Sequence, residues 1–85
     1  MYGPNARRET RVPISAPSWL IGARPKLFPC TLLDMSSRGA RIQIAGDLVL
    51  PAHFALCFTE DCEGRELCRL VWRKADQAGV RFLAA

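Results

Sequence analysis

Two short stretches hold the side chains best suited to recognising a ligand: Arg7-Arg8-Glu9-Thr10-Arg11 near the start and Asp34-Met35-Ser36-Ser37-Arg38-Gly39 in the middle. The first places three guanidiniums on a segment with too little apolar content to bury itself. A guanidinium is a planar fork that matches phosphate oxygens or the O6/N7 edge of guanine. The second stretch is its chemical complement. Asp34 and Ser36, two residues apart, set a carboxylate and a hydroxyl on one face if that backbone is extended. A carboxylate accepts from N–H donors, which the Watson–Crick edge of guanine presents. Gly39 closes a turn in which a glycine can take positive φ.

These side chains need a scaffold, and the patterning supplies one. Ala40-Arg41-Ile42-Gln43-Ile44 alternates with period two, the mark of a strand buried on one face. Ser18 to Ala23 reads as a short first strand, and Pro13, Pro17 and Pro25 argue against a helix there. Lys26 to Asp34 reads as a second strand, with Pro29 at an edge or bulge. His53 to Phe58, Glu66 to Arg73 and Gly79 to Leu83 complete six, with Leu67, Cys68, Leu70 and Trp72 expected to point partly inward. Phe28, Phe54, Phe58 and Phe82 fall in apolar runs and read as core. No stretch sustains helical periodicity. A small antiparallel barrel is the economical solution, because closure removes exposed edges.

Arg-x-x-x-Arg as Arg7 and Arg11, followed by Asp-x-Ser-x-x-Gly as Asp34, Ser36 and Gly39, resembles the two-part signature of the PilZ domain family. That family binds the bacterial second messenger cyclic di-GMP. Leu70-Val71-Trp72-Arg73 and Gly79-Val80-Arg81-Phe82 are similar to its last two barrel strands, so the resemblance runs from about Arg7 to Phe82. It implies an all-β fold: a six-stranded antiparallel barrel over residues 13–85 and a flexible arginine-rich arm over residues 1–12. Little or no C-terminal helix is expected, since the chain ends at Ala85.

The resemblance also implies roles. Arg7 and Arg11 would take phosphate oxygens and guanine O6/N7, with Arg8 able to reach a phosphate. Asp34 and Ser36 would hydrogen-bond a guanine edge or the ligand backbone, and Gly39 would keep the turn open. Trp72 stands either as an aromatic wall beside the ligand or as core. Many relatives carry a further arginine where this chain has Ala6, which leaves open whether one ligand or a stacked pair is held. The expected partners are cyclic di-GMP and a downstream protein.

Composition agrees with a single small domain of 85 residues, 49% hydrophobic, with room for one core. Net charge is +4, and ten of the twelve cations are arginine, which favours bidentate recognition of an anion. Residues 1 to 41 carry seven Lys/Arg against Glu9 and Asp34, whereas residues 42 to 85 carry five against six acids. The anion-binding face should therefore come mainly from the first half. No segment reads as a signal peptide or a membrane span, so a cytoplasmic protein is expected. In that compartment Cys30, Cys57, Cys62 and Cys68 are expected as thiols. Their spacing is not that of a zinc site, and no metal or cofactor is expected. The chain has no Ser/His/Asp set, and His53, among apolar residues, reads as packing; an enzyme is not expected. Two alternatives stand beside the receptor reading: a ligand-free PilZ-like adaptor between proteins, and a nucleic-acid-binding small barrel.

Overall fold

The computed structural model describes residues 12–22 and 27–83. Six strands follow one another: β1 (Val12–Ile21), β2 (Leu27–Met35), β3 (Gly39–Gln43), β4 (His53–Cys57), β5 (Arg65–Lys74) and β6 (Gln77–Phe82). They close into an antiparallel barrel in the order β1-β2-β3-β6-β5-β4, so every strand has two neighbours. Alternation drives the closure: Leu20, Leu32, Ile42, Phe54, Leu56, Val80 and Phe82 point inward and form one buried core. Phe28 and Phe58 are partly buried and pack against it. Among the described residues no helix is long and apolar enough to cross a membrane, which does not bear on strands.

The prolines sit where the ladder has no use for an N–H. Pro29 lies in the part of β2 that pairs with β1 but precedes the β2–β3 pairing, which begins at Thr31. This edge position is the one its sequence context predicts. β1 begins at Val12, well before the Ser18 start read from sequence, because Pro13 and Pro17 fall in a stretch that pairs with β2 alone. A register shift between Pro13 and Ala16 accommodates Ser15 at φ 105°. The arm of residues 1–12 lies, apart from Val12, outside the described residues.

Three side-chain expectations need correction. Leu67 is exposed, since β5 points Arg65, Leu67, Arg69 and Val71 outward and Cys68 inward. A register shift between Leu70 and Trp72 then breaks the alternation, so Trp72 shares the outer face with Val71 instead of following Leu70 inward. His53 is exposed at the first position of β4, beside Arg69 on β5, and packs in no core.

The cysteines divide into two kinds. Cys30 and Cys68 are buried free thiols, as expected, but Cys57 and Cys62 form a disulfide across the β4–β5 turn. The turn itself brings them together: Cys57 ends β4, Cys62 sits five residues on at φ 57°, and their Cα atoms are 4.9 Å apart. Burial pushes both free thiols up to about 11; a hydrogen bond with Ser18 partly offsets this at Cys30, and the charge of Glu66 adds to it at Cys68. Opposite this turn, the Gly46 to Pro51 loop is tied down by one guanidinium: Arg73 donates to the carbonyls of Leu48 at 2.6 Å, Gly46 at 3.1 Å and Ala75 at 2.9 Å.

Candidate functional site

The Asp-x-Ser-x-x-Gly stretch is the hairpin between β2 and β3. Asp34 stands on β2 directly across from Arg41 on β3 and is buried. Arg41 donates from Nε to Asp34 Oδ2 at 2.9 Å, with the guanidinium side 45% exposed and the carboxylate side 12%. The pair is thus anchored on the protein side and open on the other. Ser36 lies one residue beyond β2, so its hydroxyl serves the turn: Oγ accepts from the Arg38 amide at 3.2 Å, and the Ser36 amide donates to the Gly39 carbonyl at 2.9 Å.

Gly39 is required for space and not for a left-handed backbone. It opens β3 against β6, and a Cβ there would strike the Val80 carbonyl oxygen. Its φ lies outside the left-handed region, contrary to the expectation of positive φ. The hairpin is further stitched to β6 by the Phe82 amide donating to the Arg38 carbonyl at 2.7 Å.

Trp72 approaches from the other side. Across the β5–β6 pair it faces Gly79, whose missing Cβ leaves room for the indole to lie flat over the backbone. The residue is 41% exposed, so it lies at the surface and not in the core. Between the hairpin and this indole runs an open groove of about 380 Å³. Asp34, Gly39 and Trp72 line it together with Arg38, Arg41 and Arg81. Ser36 is adjacent in the turn but outside the lining, and Arg7, Arg8 and Arg11 lie outside the described residues.

Three arginines of this groove were not singled out from sequence. Arg38 sits inside the motif, Arg41 pairs with Asp34 across two strands, and Arg81 follows Gly79 on β6. The available signal was the alternation of β3 and β6, which sends Arg41 and Arg81 outward from buried neighbours. The groove therefore offers one carboxylate, three guanidiniums and an indole face, a set suited to an anionic ligand with a planar aromatic part.

The sequence model of the PilZ domain matches residues 5–85. The chain belongs to the PilZ domain family. PilZ domains are, as a family, receptors for cyclic di-GMP and not enzymes. No curated protein matches the chain. In this PilZ domain the second half of the family signature is the hairpin just described, and it borders the groove that Trp72 closes. Among the described residues no group of three or more His, Cys, Asp or Glu side chains is placed to hold a metal ion.

Proposed function

We propose that this PilZ domain is a receptor for cyclic di-GMP and that the messenger binds in the groove between the Asp34–Gly39 hairpin and Trp72. The observation that carries this reading is the convergence of Asp34, Gly39 and Trp72 on one groove edged by Arg38, Arg41 and Arg81. Guanine N–H donors would meet Asp34, whose carboxylate Arg41 holds in place. Trp72 offers a flat face to a base or to the ribose edge. Ser36 keeps the turn in shape and stands within reach of the ligand backbone.

Arg7 and Arg11 complete the site in this reading, taking phosphate oxygens and guanine O6/N7, with Arg8 as a further phosphate donor. Ordering the arm costs about 1 to 2 kcal/mol per residue fixed. Charge-assisted hydrogen bonds contribute about 1.5 to 3 kcal/mol each, so several arginine contacts suffice to offset it. The ordered arm then forms the surface that signals to a downstream protein.

Isothermal titration with cyclic di-GMP, run beside an Arg7→Ala, Arg11→Ala double variant, tests this. Saturable binding to the wild type and its loss in the variant is the expected result, with the stoichiometry deciding between one ligand and a stacked pair. No binding to the wild type would sink the receptor reading in favour of the ligand-free adaptor.

A further inference from the structure

The outer face of β4, β5 and β6 carries an arrangement that reaches beyond the groove, sharing only Arg81, Val71 and Trp72 with it. His53, Arg69 and Arg81 form one row across three strands, all outward and exposed. Arg69 and Arg81 are directly opposite each other, a placement in which like charges repel. Among the described residues neither side chain has an ion pair or hydrogen bond. None of the outward positions of the two strands supplies an acid: they are Arg65, Leu67, Arg69, Val71, Trp72 and Lys74 on β5, and Gln77, Gly79, Arg81 and Leu83 beside them.

Apolar side chains flank the arginine pair on both sides. Leu67 is 63% exposed and Leu83 49%, and the Leu83 amide donates to the Leu67 carbonyl at 2.9 Å, so the two stand side by side. With Ile21, Ala55 and Phe54 they border a shallow hollow of about 320 Å³. On the other flank stands Val71, 56% exposed, next to Trp72. Exposed leucine and valine beside unpaired arginine is the composition of a contact surface, since lysine and acids would dominate a face meant only for water.

We propose that this face docks an extended acidic segment of a partner protein with the pattern apolar-x-Asp/Glu-x-apolar. The rows dictate that pattern. Alternate residues of a strand are about 6.8 Å apart, and the same repeat governs an extended peptide laid along β5. One apolar side chain would cover Leu67 and Leu83, the carboxylate would bridge Arg69 and Arg81, and the next apolar side chain would meet Val71. A closed barrel has no free edge to extend, so recognition must pass through side chains and not through an added strand. Carboxylate is favoured over nucleic-acid phosphate because Leu67, Leu83 and Val71, three of the four exposed apolar groups beside the arginines, are aliphatic, and the one aromatic, Trp72, borders the groove on the other side. Arg81, Val71 and Trp72 also line the ligand groove, so the surface abuts that site, but it exists without ligand.

The test is an amide-resolved NMR titration of the full chain, without cyclic di-GMP, using the peptide acetyl-Leu-Ala-Glu-Ala-Leu amide up to millimolar concentration. A second peptide carries Lys in place of Glu. Saturable shifts at Leu67, Arg69, Arg81 and Leu83 with the acidic peptide alone are expected. An Arg69→Glu, Arg81→Glu double variant that keeps the wild-type spectrum elsewhere should bind about tenfold more weakly or worse. Absent shifts, equal shifts with the lysine peptide, or tighter binding of an oligouridylate to the same residues would overturn the proposal, the last in favour of nucleic acid. Because no messenger is added, the result does not depend on the receptor reading.

Discussion

The barrel has two polar hairpin turns that look alike in sequence and differ in what they do with an aspartate. In the β2–β3 turn Asp34 is buried and its charge is met by Arg41 from the next strand. In the β4–β5 turn Asp61 is fully solvated and its own turn satisfies it: the Thr59 hydroxyl donates to Oδ1 at 2.6 Å and the Glu63 amide at 3.0 Å. Those two bonds lower the Asp61 carboxyl below its ordinary range, with the Thr59 hydroxyl contributing most. One carboxylate thus faces a groove, with part of its pair open to a visitor. The other is closed on itself, and its turn is fastened by Cys57–Cys62. Turn composition alone does not make a site; what stands opposite the turn does.

Glycine substitution breaks this contrast most strongly. Gly39→Val drives a branched side chain into the Val80 carbonyl and should destabilise the fold by about 3 kcal/mol in urea unfolding. In the other turn Gly64→Ala meets nothing closer than Phe58 Cβ at 3.9 Å and should stay within about 0.5 kcal/mol of wild type. Equal costs would mean that Gly39 is not pressed against β6. Reducing the Cys57–Cys62 bond should lower stability by about 2 kcal/mol, the amount expected for so short a closed loop. Cyclic di-GMP affinity should be unmoved by that reduction, since the turn lies away from the groove. A parallel fall in affinity would show that the two turns are coupled.

Charge removal separates the aspartates next. Asp34→Asn should weaken cyclic di-GMP binding about tenfold or more, while Asp61→Asn leaves it unchanged. Stability should change by no more than about 1 kcal/mol in Asp34→Asn, because the Arg41 side of the pair is wet. The smallest signal is chemical. With thiol pKa values near 11, Cys30 and Cys68 are ionised in about one molecule in a thousand at pH 8, so iodoacetamide should label the native protein slowly. The rate should climb about tenfold for each pH unit until pH nears 11. Denaturation without reductant should reveal two reactive thiols, Cys30 and Cys68, and a count of four would overturn the disulfide.

Much of this was legible in advance, and the misses share a cause. Ala40 to Ile44 announced β3 because one face meets the core and the other meets water. Pro29 announced an edge because it has no N–H to give. The hairpin motif and Trp72 were legible through their resemblance to a family. What escaped depended on hairpin register: Arg41 beside Asp34 across β2–β3, and Arg81 beside Arg69 and the seat that Gly79 gives the indole across β5–β6, follow from which residues each hairpin sets opposite one another. The inward assignment of Leu67 failed because it shares the outward phase of Arg65 and Arg69 while Cys68 turns inward, and that of Trp72 failed because a register shift after Leu70 resets the period of two. The disulfide escaped because only the fold of the β4–β5 turn brings Cys57 and Cys62, five residues apart, within bonding reach.

The barrel's last fastening is short. β1 meets β4 through Trp19, Leu20 and Ile21 against Cys57, Leu56 and Ala55, whereas β1 meets β2 along nearly its whole length. A ring held shut by so brief a clasp has a preferred place to part. Parting there would free two sheet margins, the kind of surface that recruits a strand from a neighbouring molecule. The route by which this domain would exchange strands, or begin to aggregate, is thus written at the clasp, on the opposite side of the ring from the β3–β6 seam beside the Asp34 groove.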